Sequence, residues 1–234
     1  MKRPNVCDIK LGRQSYEPNA TPEKKSTEIF KYKWRNEIGF LITGILINTP
    51  HSSEPVYFSK SFGQNLDRET ILTEGLHRFL GDSKEMRQRM AFSFLEQLKP
   101  LVSWFEKQTE LRFYGSSIVL AFDSSHTYTS MQSSPDEGVS NESFCKKPNS
   151  ELLQPFSVVR LIDFAHWSFD QMGTLDENCL YGLRSLQNYL LAIITNKELT
   201  EVSKSPDLKR SHSIDSCSSG QRSDTINAEL SIPS

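Results

Sequence analysis

Apolar positions along this chain switch between alternation, solid runs and a spacing near four, which predicts a mixture of strands and helices. Residues 5–11, Asn-Val-Cys-Asp-Ile-Lys-Leu, alternate enough to read as a strand ended by Gly12. Residues 21–32 open with Thr21 and Pro22, a cap followed by a first-turn proline, and are expected to form a short helix. Residues 39–48, Gly-Phe-Leu-Ile-Thr-Gly-Ile-Leu-Ile-Asn, are apolar and rich in Ile, as expected of a strand buried on both faces. A second strand around residues 56–59 is expected to pair with it, and residues 68–79 are expected to be helical. Over residues 83–109, Met90, Phe94, Leu98, Val102 and Phe105 recur about every four positions, the mark of an amphipathic helix. Pro100 lies inside that run; it lacks an N–H and restricts Lys99, so a kink or break is expected there.

Residues 111–122 return to strand chemistry, with Ser116-Ser117 set before Ile118, Val119 and Leu120. Val158, Val159, Leu161 and Ile162 predict a short buried strand that stops at Asp163. Residues 176–195 place Leu180, Leu183, Leu186, Leu190 and Ile194 on one helical stripe, which is expected to close the core. Strands and helices alternate without regular βαβ units, so the fold class is α+β. Residues 123–155 and 203–234 are instead rich in Ser, with Asn, Pro and Glu in the first; they are expected to be a disordered insertion within one domain of residues 1–202 and a disordered tail after it.

Composition agrees with that division. Hydrophobic residues make up 36% of the 234, which is low unless part of the chain stays outside the core. The net charge of -2 argues against a nucleic-acid partner, since coating phosphates takes a broad Lys/Arg excess; any anion site must be local. Cys7, Cys145, Cys179 and Cys217 show no CxxC pairing or zinc spacing, so free thiols in a reducing compartment are expected. Lys2, Arg3 and Pro4 lead into no apolar run and no stretch reaches about 18 apolar residues, which predicts neither a signal peptide nor a transmembrane segment. The expected location is the nucleus and cytoplasm.

Three groups of residues could carry chemistry. Asp8 and Lys10 lie two apart on one strand face, where a carboxylate and an ammonium can hold a hydroxyl and a phosphate side by side. On spacing alone a surface ion pair is the commoner explanation. Lys24 and Lys31 are seven apart and share a helix face, as a clamp for a polyphosphate requires, but Glu28 between them allows two plain salt bridges. Asp163 ends an apolar strand, the position from which a hard oxygen ligand can reach a magnesium ion on nucleotide phosphates. A lone Asp at a strand end is more often a turn former, and a lone His166 more often structural.

Their order along the chain is more specific than any one of them. Pro4-x-x-x-Asp8-x-Lys10-x-Gly12, Ser116-Ser117-Ile118-Val119 and Ile162-Asp163-Phe164-Ala165-His166 resemble, in sequence, the substrate signature, the Ser-Ser stretch and the metal motif of the inositol polyphosphate kinase family. About two dozen residues separate Gly12 from Gly39, and Glu37-Ile-Gly-Phe40 and Glu69-Thr-Ile71 look like the multikinase branch. The resemblance implies the C-terminal lobe of such a kinase, an antiparallel sheet with packed helices. It implies that ATP is the co-substrate, with Mg2+, and that soluble inositol polyphosphates are the acceptors, phosphoinositide head groups being a further possibility. Asp8 is then implied to bind the nucleotide, Lys10 to meet substrate and transferring phosphate, Lys24, Lys31 and His166 to hold substrate, and Asp163 to ligate magnesium. Thr27 and Glu28 stand where the branch suggests glutamines, which bears on substrate choice. The family's ATP-covering N-terminal lobe is expected to be missing, and a non-catalytic inositol phosphate-binding form is the alternative reading.

Overall fold

In a computed structural model of the protein, residues 1–49, 52–125 and 156–196 are described. Strand β1 (Pro4–Leu11) forms the centre of the fold. Its alternation sorts cleanly: Asn5, Cys7, Ile9 and Leu11 are buried, while Val6, Asp8 and Lys10 lie half-buried on the other face. It pairs antiparallel with β2 (Phe40–Ile47) on one side and β5 (Ser117–Asp123) on the other. With β3 (Val56–Phe58) and β6 (Ser157–Ile162) the sheet runs β3-β2-β1-β5-β6. Every pairing is antiparallel.

Two long helices cover the apolar face, α5 (Lys84–Phe105) and α6 (Glu177–Thr195). They pack against each other and against the sheet, bringing Phe94, Leu98, Leu183 and Leu186 onto Ile9, Leu120 and Phe122. Phe79, Phe94 and Phe122 form an aromatic cluster with ring centroids 5.5 to 6.4 Å apart. Each such side chain contributes about 1.5–3 kcal/mol by leaving water, so the sheet is held rigidly from this side. Helix α1 (Pro22–Lys31) differs: it buries no residue. The short helices α2 (Arg35–Ile38), α3 (Lys60–Asn65) and α4 (Arg78–Leu80) complete the helical elements, with a π-helical turn at Ile71–His77 leading into α4.

Several expectations change. β2 is buried through Phe40, Leu41 and Ile42, but Thr43, Gly44, Leu46 and Ile47 are half-buried, because only one face of its second half meets the core. A bulge also interrupts it: Asp8 faces Gly44 while Ile9 faces Ile42, leaving Thr43 as the extra residue. The expected helix at residues 68–79 is a π-helical segment over most of its length, and α3, whose six residues are too short for a periodic signal, was not expected. Pro100 does not break α5. It is exposed, so the carbonyl that loses its partner lies where water can replace it.

Residues 111–122 divide into two strands. β4 (Leu111–Phe113) leaves the main sheet to pair with β7 (Trp167–Phe169), and β5 begins only after Gly115, whose φ of 74° turns the chain. Asp123 is no part of a disordered insertion. It ends β5, is buried, and accepts hydrogen bonds from the Lys2 and Arg3 amides at 2.6 and 3.3 Å. Ser124, also buried, and Ser125 follow it in the described structure, whereas residues 126–155 of the proposed insertion, and the proposed tail, lie outside the described residues, as do Cys145 and Cys217. Cys7 and Cys179 are free and buried. Among the described residues no helix is long and apolar enough to cross a membrane.

Candidate functional site

Register across the sheet assembles the first half of the site. Lys10 on β1 faces Ser117 on β5, and Ser117 faces Ile162 on β6. Asp163 is the next residue, so a lysine and an aspartate 153 positions apart in sequence meet at the same edge, two strand spacings or about 10 Å of backbone apart. The small Ser117 between them leaves the way open. Gly115 matters for the same reason: a Cβ there would lie 2.9 Å from Lys10 Cε, so any side chain would collide with the lysine stem.

Asp163 has a φ of 63°, a left-handed conformation that only Gly, Asn and Asp adopt with any ease. The Ser116 hydroxyl donates to its backbone carbonyl at 2.9 Å and holds the turn, while the carboxylate remains exposed. Asp8 lies two residues back from Lys10 on the same strand face. The Asp8–Lys10 ion pair that this spacing allows is not made. Asp8 Oδ1 is instead buried with no hydrogen-bond partner, an acceptor in want of a donor.

Lys10 titrates below the ordinary lysine range. Burial is the largest cause, followed by the positive charges of Lys60 and Arg35; Glu28 and Asp163 act in the opposite sense. Neither Lys60 nor Arg35 stood out in the sequence. Lys60 opens α3 and comes near Lys10 only because α3 packs on β2. Arg35 is buried and donates to the Gly12 carbonyl at 3.0 Å, locking the end of β1.

Helix α1 provides the second half. Thr21 caps it by accepting from the Lys24 amide, and Pro22 fits its first turn. Lys24 and Lys31 share a face as expected, but Glu28 does not bridge both. It pairs with Lys31, while Lys24 pairs with Glu17 at 3.5 Å. Glu17 Oε1 also lies 2.7 Å from His166 Nδ1, so this carboxylate, unnoticed in the sequence, ties the segment after Asp163 to α1. Glu17 titrates below the usual range, chiefly through that contact with His166 and then through Lys24. Burial alone would raise Glu28, but hydrogen bonds from Lys31 and Ser15, with the charges of Lys31 and Lys10, outweigh it and hold its carboxyl at about 2.

The six expected residues fall in two groups, Asp8, Lys10 and Asp163 on the sheet and Lys24, Lys31 and His166 around α1, which are linked by the charges of Glu28 and Asp163 acting on Lys10 and by the contacts of Glu17 with Lys24 and His166. The arrangement suits an anionic ligand carrying several phosphates beside a second, metal-bound phosphate chain. Among the described residues no three His, Cys, Asp or Glu side chains cluster as a protein-only metal cage. Asp163 nonetheless fits magnesium, which retains water and takes one or two carboxylates together with substrate phosphates. The orphaned Asp8 Oδ1 fits a sugar hydroxyl.

The inositol polyphosphate kinase family profile matches residues 1–191. The human inositol polyphosphate multikinase is 32% identical over 123 residues, 53% of this chain and 29% of the human protein. The mouse inositol hexakisphosphate kinase 3 is 27% identical over 182 residues, covering 77% of this chain and 42% of its own length. The chain thus spans less than half the length of either relative. Among solved structures, an inositol phosphate multikinase aligns with a TM-score of 0.62 at 23% identity, over 82% of this chain and 80% of its own. The multikinase of S. cerevisiae in complex with ADP and Mn2+ aligns with a TM-score of 0.61 at 19% identity, over 82% of this chain and 79% of its own. At those identities the likeness is one of fold.

Proposed function

The chain belongs to the inositol polyphosphate kinase family, and from that premise we propose that it serves ATP-dependent phosphoryl transfer to a hydroxyl of a soluble inositol polyphosphate, in the manner of the multikinases. One observation carries the reading: Lys10 lies within reach of the charges of both the exposed Asp163 and Glu28 on the lysine-bearing helix α1. A group in that place can touch both the phosphoryl being transferred and the molecule receiving it. The ADP and Mn2+ held by the S. cerevisiae multikinase support the use of a nucleotide and a divalent metal.

The residues then divide the work. Asp8 accepts a hydroxyl of the nucleotide ribose through its unpartnered Oδ1. Lys24, Lys31 and His166 orient the acceptor by its phosphates and select which hydroxyl faces the donor. Lys10 meets the charge that develops on the transferring group, and its half-buried position strengthens that interaction over one in open water. Asp163 supplies a ligand for Mg2+, which, when bound, neutralises the nucleotide phosphates. No covalent intermediate is required, because phosphoryl transfer of this kind is positioning and charge neutralisation.

The test is transfer of label from terminally labelled ATP to inositol tris- and tetrakisphosphate, with wild-type protein beside Asp163→Asn. Asn keeps the left-handed turn, so the variant should fold as the wild type does and lose transfer by at least about 100-fold. Equal rates for the two proteins, or ligand binding by neither inositol phosphate, would overturn the proposal.

A further inference from the structure

Glu28 sits where several positive groups converge. Ser15 Oγ donates to its Oε2 at 2.6 Å, Lys31 Nζ pairs with its Oε1, and Lys10 and Arg35 lie close enough to share its field. A plain surface pair on α1 explains Lys31, three residues on, but not the hydroxyl that Ser15 brings from the loop after β1. Nor does it explain why the Glu28 side chain is only 21% exposed on a helix that buries nothing. An ammonium, a hydroxyl and further cations around one anion are what a phosphate monoester would also require.

Resting on the substrate class proposed above, we propose that Glu28 is a specificity-determining residue whose carboxylate fills the seat a further substrate phosphate would take. The cleft therefore favours acceptors that present a hydroxyl to Glu28 and disfavours those that carry a phosphate at that ring position. The cause is competition: while Lys31 and Lys10 share their charge with Glu28 they neutralise a further phosphate at that position less fully, and two anions left to share them repel at short range. A glutamine keeps the size and the contact with Ser15 but gives up the charge, which frees Lys31 and Lys10 for the ligand.

The deciding experiment is calorimetric titration of the whole 234-residue chain and its E28Q and E28D variants with inositol tris-, tetrakis- and hexakisphosphate at one ionic strength. For E28Q, affinity for the hexakisphosphate relative to the trisphosphate should rise about tenfold, the scale of one partly solvated charge contact. E28D retains the charge and should keep the wild-type ranking. Since α1 buries no residue, thermal unfolding should match among the three proteins. An E28Q gain equal for every ligand, or an unchanged ranking, overturns the assignment of a phosphate seat. If wild type and E28Q alike bind none of the three, it is the substrate reading that falls, and this assignment with it.

Discussion

The half of the candidate site built on the sheet and the half built on α1 carry the same kinds of charged group but are fixed by different forces. Lys10 leaves a strand whose alternate residues Cys7, Ile9 and Leu11 are fully buried, and its stem runs past Gly115, where no side chain fits. Asp163 is held in a left-handed turn by a hydroxyl from Ser116, itself fully buried. Lys24 and Lys31, by contrast, rise from a helix with no buried residue, steadied by single carboxylates of partly exposed pairs. Such pairs contribute about 0–1 kcal/mol each. The groups assigned to phosphoryl transfer thus inherit the rigidity of the core, whereas those assigned to substrate choice can change with little cost to the fold. Substitution at α1 is accordingly the inexpensive route to a new acceptor.

The contrast can be broken most severely in the core. Phe79→Ala should lower unfolding free energy by about 3–5 kcal/mol in denaturant titrations, since its ring stacks at 5.8 Å on Phe94 and against Phe122. Phe30→Ala on α1, where the ring is 91% exposed, should stay within about 0.5 kcal/mol; comparable losses at both positions would erase the distinction between the two halves.

A smaller effect, with opposite signs for stability and activity, is expected at Asp163. Glycine there removes the strain of φ 63°, so Asp163→Gly should gain up to about 1 kcal/mol in thermal unfolding while transfer falls by at least about 100-fold. A variant that is both less stable and fully active would show that the turn is neither strained nor functional.

The finest distinction concerns pH. Lys10 titrates below the ordinary 10.5, so between its lowered value and 10.5 the unfolded chain holds more protons than the folded one. Stability from this group therefore rises with pH across that window, and its unfavourable effect is complete below it. Anion binding follows the reverse course, because a polyphosphate favours the ammonium: affinity should fall as pH rises through the lowered value. Titrations in buffers of different ionisation heat should register proton uptake by wild type in that range and none by Lys10→Met.

Much of this was legible in the residue order. Alternation in residues 5–11 set Asp8 and Lys10 on one face, the cap at Thr21 and proline at Pro22 placed α1, and the apolar run ending at Asp163 placed that carboxylate at a strand end. These are local properties, governed by the periods of strand and helix and by backbone sterics, and a sequence states them directly. What it could not state was which segments become neighbours. The split of residues 111–122 between two sheets, the persistence of α5 through Pro100, and the approach of Lys60, Arg35, Glu17 and Ser15 to the expected site all depend on packing between distant segments. The same holds for the charge of Lys10 and the trapped carboxylate of Glu28. Sequence fixes the type of each group and the face from which it leaves the chain, but burial and neighbouring charges decide its energy, and both arise only when the sheet and its helices close around it.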